Sequence, residues 1–281
     1  MATVHYLQPS RLDDALEALA ARPLAVLAGG TDFYPARVGA ALREDVLDIS
    51  RLAPLRGIVQ AAGDWRIGAL TTWSDLLRQP LPPLFDGLKG AAREVGGLQI
   101  QNQGTLAGNL CNASPAADGI PALLALSAEV ELTSTHGVRR VPLTGFVTGS
   151  RTTARRADEL VTAILVAQRA AHTRSTFLKL GARRYLVISV VMVAATLEPD
   201  GHGKVAHAAI AIGACSPVAR RLPALEARLL GRGLDADLAD LARAADLAVL
   251  SPLSDVRGSA DYRLDAALTL VRRALRELTD E

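Results

Sequence analysis

The chain has 281 residues, with 31 basic against 29 acidic side chains and 49% apolar residues. That length supports one large domain or two smaller ones with ample core, and the near-neutral balance, with its basic pairs scattered, excludes the electrostatic footprint of a nucleic-acid surface. Two cysteines, Cys111 and Cys215, are too few for an iron–sulfur cluster or a thiolate zinc site.

Residues 4–8 read as a strand. Ser10 is placed to cap a helix whose Leu12, Ala15, Leu16 and Leu19 share one face, with Asp13 close to completing a capping box and Pro23 as the stop. The N-terminus lacks a basic start and an apolar core, so the pattern predicts no secretion signal and two reduced cytoplasmic thiols. Leu24-Ala25-Val26-Leu27-Ala28 is a continuous apolar strand of the kind found in parallel or mixed sheets. It runs into Gly29-Gly30-Thr31-Asp32 and a helix expected around 32–38, before a further strand at 46–49. This β-α-β-α-β order predicts a small parallel unit.

Beyond Pro54 the pattern changes. Residues 57–59 and 65–70 read as a hairpin, and Thr71-Thr72 opens a helix through Leu77. Residues 82–97 read as helix in two pieces, broken by Gly87 and closed at Gly96-Gly97. Gly104 to Asp118 reads as a loop, followed by a short helix from Pro121 to Leu126. A hairpin over 129–133 and 139–143, turning at His136-Gly137, precedes a strand at 159–166. The Ala-rich stretch at 170–173 is the expected boundary between a domain over 1–172 and one over 173–281. The first divides into lobes of about 1–54 and 55–172. The tail carries strands at 176–180, 188–198 and 204–214, then helices at 222–230, 235–250 and 261–279. The last has a stripe of Leu264, Leu268, Val271, Leu275 and Leu278, with Ser259 or Asp261 as cap. The longest apolar run, Leu186 to Leu197, is too short to span a bilayer.

Two stretches carry chemistry. Gly29-Gly30-Thr31-Asp32 sits where a strand hands over to a helix, so its free N–H groups suit a phosphate; a tight turn with an N-cap explains the same residues. Gly104 to Asp118 offers a second set of free N–H groups with no cation, and a structural loop with Asx-turns at Asn109 and Asn112 is as good a reading. Two such loops could clasp a pyrophosphate if they meet in space. Gly201-His202-Gly203-Lys204-Val205-Ala206 matches a dinucleotide pattern only in form, because it lies at a hairpin tip. The five histidines cluster nowhere, and no metal site is expected. Lys179 interrupts the apolar strand around Phe177-Leu178, which an edge lysine facing solvent would explain.

Taken in order, Leu27-Ala28-Gly29-Gly30-Thr31-Asp32, Gly104-Thr105-Leu106-Ala107-Gly108-Asn109-Leu110 and Ala113-Ser114-Pro115-Ala116-Ala117-Asp118 resemble the FAD-binding medium subunit of molybdenum hydroxylases. That family includes xanthine dehydrogenases, carbon monoxide dehydrogenases and related aldehyde or N-heterocycle oxidising enzymes. The likeness extends through Ile67-Gly68-Ala69, Gln99-Ile100-Gln101-Asn102, Phe177-Leu178-Lys179 and Asp255 to Arg263, so it spans nearly the whole chain.

The resemblance implies an α+β chain: a two-lobed FAD-binding domain of the p-cresol methylhydroxylase type, then a small α+β domain of three antiparallel strands and three helices. It implies non-covalent FAD held by Ala28, Gly29, Gly30, Thr31, Asp32, Phe33, Tyr34 and Pro35 on one side. Thr105, Leu106, Ala107, Gly108 and Asn109 would hold it on the other, with Asp118 as a polar anchor. Val95, Thr162 and Lys179 fall at contact positions, Lys179 as a cation tuning the flavin, and Tyr185 or Ile188 would flank the ring. The family often has Gly where Ala107 stands, so a positive φ there would cost about 1 kcal/mol. The benzoyl-CoA reductase branch carries a cluster-binding insert that this chain lacks.

By the same resemblance the partners are a large molybdopterin-binding subunit and a small subunit with two [2Fe–2S] clusters, as a dimer of heterotrimers. NAD⁺, O₂ or a quinone would be the terminal acceptor. The location is cytoplasmic, with any membrane association made through partners. A stand-alone FAD oxidoreductase of the same flavin fold and a non-catalytic flavin-binding assembly subunit are the alternative readings.

Overall fold

Three short parallel strands, in the order β1-β3-β2, form the first lobe of the computed structural model, which describes residues 4–39 and 41–279. The strands are β1 (Tyr6–Leu7), β2 (Ala25–Leu27) and β3 (Val46–Asp48), with helix α1 (Leu12–Ala21) crossing between the first two. Ala15, Leu16 and Leu19 of α1 pack with Leu24, Leu47 and Ile49, which makes the predicted parallel unit a small core of its own. The Ser10–Asp13 capping box does not form: the helix begins one residue later, and Arg11 holds the N-cap position with no side-chain cap. The helix expected at 32–38 is a single 3₁₀ turn, Pro35–Arg37.

The second lobe is an antiparallel sheet of β4 (Ile58–Ala61), β5 (Asp64–Gly68), β6 (Glu129–Ser134), β7 (Gly137–Pro142) and β10 (Leu160–Ala167), in the order β4-β5-β10-β6-β7. Between its strands the chain forms α2 (Trp73–Arg78), α3 (Asp86–Glu94), α4 (Leu98–Gln103), α5 (Leu106–Asn112), α6 (Gly119–Ala125), α7 (Leu143–Phe146) and the small hairpin β8 (Val147–Gly149) and β9 (Thr152–Thr153). The helix expected to open at Thr71-Thr72 is capped by Thr72, and Asp75 returns the bond to make a full capping box that the sequence reading did not include. Gly87 does not break a helix but lies inside α3. Its N–H donates to Ser175 Oγ at 2.8 Å, and a Cβ there would meet Thr176 O at 2.8 Å, so it lets α3 lie close against the next domain. The stretch read as a loop over 104–118 contains α5, whose N-cap Thr105 accepts the Gly108 N–H at 3.0 Å.

The C-terminal unit is an antiparallel sheet of β11 (Arg174–Leu180), β12 (Val191–Pro199), β13 (Val205–Gly213) and the two-residue β14 (Arg220–Arg221), one strand more than expected. Alternation along β12 divides its side chains between two cores. Met192 and Ala194 join α3, α6 and the second-lobe sheet, while Val191, Val193, Ala195 and Leu197 join α8 (Pro223–Leu229) and α9 (Ala260–Thr279). Helices α3 and α6 are therefore sandwiched between two sheets, with Phe85, Leu88 and Leu123 almost fully buried, each contributing about 1.5–3 kcal/mol. The helix expected over 235–250 is two 3₁₀ stretches, Ala236–Leu241 and Ala244–Val249, because Asp235 caps the first and the Asp246 carboxylate takes the Arg243 N–H to restart the second. Arg263, 3% exposed, donates from α9 to Val190 O, Ala214 O and Asp255 Oδ1. That explains the Asp255 to Arg263 motif as a brace for the last helix.

Among the described residues no helix is long and apolar enough to cross a membrane.

Candidate functional site

A cavity of about 530 Å³ opens between the first and second lobes. It is built where two segments distant in sequence touch through their backbones. An added Cβ on Gly29 would stand 1.8 Å from Gln103 O, and one on Gly104 would stand 2.9 Å from Ile100 O and 3.3 Å from Thr31 Oγ1. Gly29 is thus a glycine because the two segments abut, not because it turns. Gly30 does turn, with φ +75°, and a Cβ there would strike the Tyr34 ring at 2.6 Å. The second segment is tied to the lobe beneath it: Trp73 N–H donates to Gly104 O at 3.2 Å and Leu106 N–H to Thr71 O at 3.1 Å.

The N–H groups of Gly30, Thr31, Asp32 and Phe33 have no acceptor among the described residues. Successive backbone donors left open beside a positive-φ glycine are the ingredients of an anion-binding concavity. Asn109 lines the same cavity, and its buried Oδ1 has no donor among the described residues. Trp73, 2% exposed, lies beneath Gly104 and Gly119. Val95, Ile100, Leu160 and Val161 supply apolar wall, and Arg37, Arg151 and Arg155 supply cationic wall. Arg37 stacks 3.8 Å over Phe33 and pairs with Glu44. Asp32, the acidic lining residue, points aside to Arg151 at 4.0 Å.

Of the residues singled out in the sequence, Ala28 to Phe33, Val95, Thr105, Ala107, Gly108 and Asn109 share this cavity. The others stand elsewhere. Tyr34 is 60% exposed, packed edge-on to Phe33, and Pro35 begins the 3₁₀ turn beyond it. The Leu106 side chain is fully buried in the second-lobe core. Thr162 is 1% exposed and bonded to Glu131 Oε1 at 2.7 Å and Thr133 Oγ1 at 2.8 Å, so its hydroxyl is spent within the sheet. Ala107 needs no positive φ: it lies in α5 and is buried. The strain considered for it does not arise.

Asp118 and Lys179 pair with each other, at 2.8 Å, next to a second depression lined by Arg93, Phe177 and Arg183. Ile188 is 53% exposed beside Tyr185 and Leu186, which are also exposed, and none of the three lines either hollow.

Sequence reasoning missed the arginines. Arg151 stands at the tip of the β8–β9 hairpin with φ +59°, and Arg155 follows the hairpin. The pattern around them gave no strand signal, and Arg155-Arg156 looked like one more scattered basic pair. Cys111 also faces the cavity. The residue is exposed to it, with desolvation around the sulfur pushing the thiol up and Arg155 pulling the other way. Both cysteines are free. No cluster of three or more His, Cys, Asp or Glu fit to hold a metal occurs among the described residues.

Residues 2–168 match the family described as the FAD binding domain in molybdopterin dehydrogenase. Residues 176–278 match the CO dehydrogenase flavoprotein C-terminal domain. The chain is 31% identical to the xanthine dehydrogenase FAD-binding subunit of Escherichia coli O157:H7, over 97% of this chain and 94% of that one. It is 31% identical to the carbon monoxide dehydrogenase medium chain of Hydrogenophaga pseudoflava, over 89% and 87%. Among solved structures, the reconstituted CO dehydrogenase of Oligotropha carboxidovorans superposes with a TM-score of 0.90 at 28% identity, covering 99% of this chain and 98% of that one. Quinoline 2-oxidoreductase of Pseudomonas putida gives 0.87 at 27% identity, covering 99% and 97%.

Proposed function

This chain belongs to the family of FAD-binding medium subunits of the xanthine and carbon monoxide dehydrogenases, and on that premise we propose that it is the flavin-holding, electron-transferring subunit of a multi-subunit molybdenum hydroxylase. It would work with a large molybdopterin-binding subunit and a small subunit carrying two [2Fe–2S] clusters, as a dimer of heterotrimers in the cytoplasm. It would have no hydroxylase activity alone.

The observation that carries the reading is the backbone contact of Gly29 with Gln103, which brings two glycine segments to one cavity beside four open N–H groups. A dinucleotide fits that arrangement. Open N–H groups and cationic side chains suit a pyrophosphate, and the apolar walls suit flat rings. FAD, when bound, supplies a ring that exchanges one or two electrons and so joins one-electron carriers on a partner to an acceptor such as NAD⁺, O₂ or a quinone. In this reading the backbone of Gly30 to Phe33 binds the diphosphate, Thr105 fixes α5 against it, and Trp73 and Leu160 exclude water.

The test is purification of the chain alone and with co-expressed partner subunits, followed by a visible spectrum and assays of Mo, Fe and FAD. A yellow chain that co-purifies with Mo- and Fe-containing partners supports the proposal. A chain that holds FAD and turns over a substrate without partners points instead to a stand-alone oxidoreductase. A colourless chain that never takes up FAD refutes both.

A further inference from the structure

Paired one by one, the charged residues of the inter-lobe cavity leave a cation over. Arg37 is balanced by Glu44, and Arg151 faces Asp32 while donating to Asn112 Oδ1. Arg155 has no such partner. It is half-buried, lines the cavity, and has no carboxylate in ion-pair range among the described residues. Its Nη1 donates to Arg156 O at 3.0 Å and Glu159 O at 2.7 Å. The remaining N–H groups, on Nε and Nη2, have no acceptor among the described residues.

Its position is built rather than incidental. Glu159, almost fully buried, receives Arg139 at 2.5 Å and 2.8 Å through its two carboxylate oxygens and the Arg156 N–H at 2.7 Å, while its carbonyl holds Arg155. The neighbouring hairpin is anchored as well, through the bond from Arg151 N–H to Ala113 O at 2.9 Å. On the cavity side Arg155 stands by Cys111, which it influences electrostatically. Cys111 is one helical turn from Gly108 on α5, about 5 Å along the axis. A guanidinium fixed by two carbonyls, with its other donors open on the cavity side, is pre-organised to take an anion.

We propose that Arg155 is an anion-binding residue of this cavity that takes a phosphate oxygen of the bound dinucleotide, supplying the cation that both glycine segments lack. The assignment rests on the reading that FAD occupies the cavity. It makes Arg155 a determinant of preference for a flavin dinucleotide over riboflavin, since riboflavin carries no phosphate. Arg151 stands on the same wall, but its guanidinium is already engaged by Asp32 and Asn112.

The experiment compares FAD, ADP and riboflavin binding to the flavin-stripped full chain and to Arg155→Gln and Arg155→Lys, at low and high salt. Arg155→Gln is expected to weaken FAD and ADP roughly tenfold, the loss of one charge-assisted contact, to leave riboflavin unchanged, and to flatten the salt dependence. Arg155→Lys should recover part of the loss. Wild-type affinity and salt dependence in Arg155→Gln overturn the proposal. So does an equal loss for riboflavin and FAD, which would mean that Arg155 merely shapes the loop. If the wild-type chain takes up no FAD, the FAD reading itself has failed. The assignment of Arg155 is then judged on ADP alone, and ADP binding that Arg155→Gln does not weaken, or no ADP binding at all, overturns it.

Discussion

Lys179 Nζ lies 2.8 Å from Asp118 Oδ2, and Ser189 Oγ donates to Asp118 Oδ1 at 2.7 Å. The pair joins the strand β11 to the start of α6, and so ties the C-terminal sheet to the second lobe. By resemblance each residue was expected separately at the flavin, Lys179 as a lone cation. Together they are a neutral unit with side chains 6% and 10% exposed, and the fields of the two charges largely cancel at a distance.

Breaking this pair from one side should be worse than removing it. Lys179→Met leaves a buried carboxylate without its cation, a loss of about 3–5 kcal/mol. Asp118→Asn together with Lys179→Met should recover part of that, so the two changes will not add. Denaturant midpoints of the four proteins of this cycle test the point, and strict additivity would count against a coupled pair.

The same pair has a pH signature. Burial already pushes the Asp118 carboxyl up, with Lys179 pulling it down. In Lys179→Met the upward push is unopposed. A carboxyl raised on folding contributes stability that is full below its unfolded value, about 3.9, and is lost as pH rises through the folded one. The deficit of Lys179→Met against wild type should therefore be larger at pH 8 than at pH 5. A pH-independent deficit would show that Asp118 does not carry it.

Gly29→Ala should part the two segments, because its Cβ meets backbone at Gln103 rather than a side chain that can swing away. Flavin content should collapse, with a clear drop in thermal midpoint. Gly201→Ala, which meets nothing within 4 Å and has no positive φ, is the control and should leave both unchanged. A Gly29→Ala protein with full flavin content would remove the contact from the account.

Glu159 makes the opposite pH prediction to Asp118. The hydrogen bonds from Arg139 hold its carboxyl below the usual range, against the effect of burial. A carboxyl lowered on folding contributes stability present above its unfolded value, about 4.3, and lost as pH falls through the folded one. Glu159→Gln should accordingly destabilise the chain at pH 7 and hardly at all near pH 3. Comparing unfolding midpoints at the two values checks this.

Periodicity made much of the fold legible. The apolar runs of β2, β12 and β13 and the stripe on α9 are each set by burial on one or two faces, which leaves a direct trace in sequence. The misses come from residues whose role is tertiary. Gly87 looks like a helix breaker until Thr176 O is known to lie against it. Ala107 looked strained only while its segment was read as a loop, whereas Thr105 makes it the start of a helix.

At the site, the two glycine segments could be read singly as turns, and only their order resembled a family. Their contact depends on Gln103, an undistinguished polar residue. Arg155 was invisible because its importance lies in lacking a carboxylate, which no local pattern records. The pairing of Asp118 with Lys179 spans β11 and α6 and could not be read from either.

The central claim is that the segments meeting at Gly29 and Gln103 hold FAD in the inter-lobe cavity. Amide hydrogen exchange of the full chain, with FAD and after its removal, tests it most directly. The account predicts strong protection by FAD at Gly30 to Phe33, whose N–H groups are otherwise open, and slower exchange across Thr105 to Asn112. Protection confined to other segments, with Gly30 to Phe33 exchanging equally fast in both states, would contradict it.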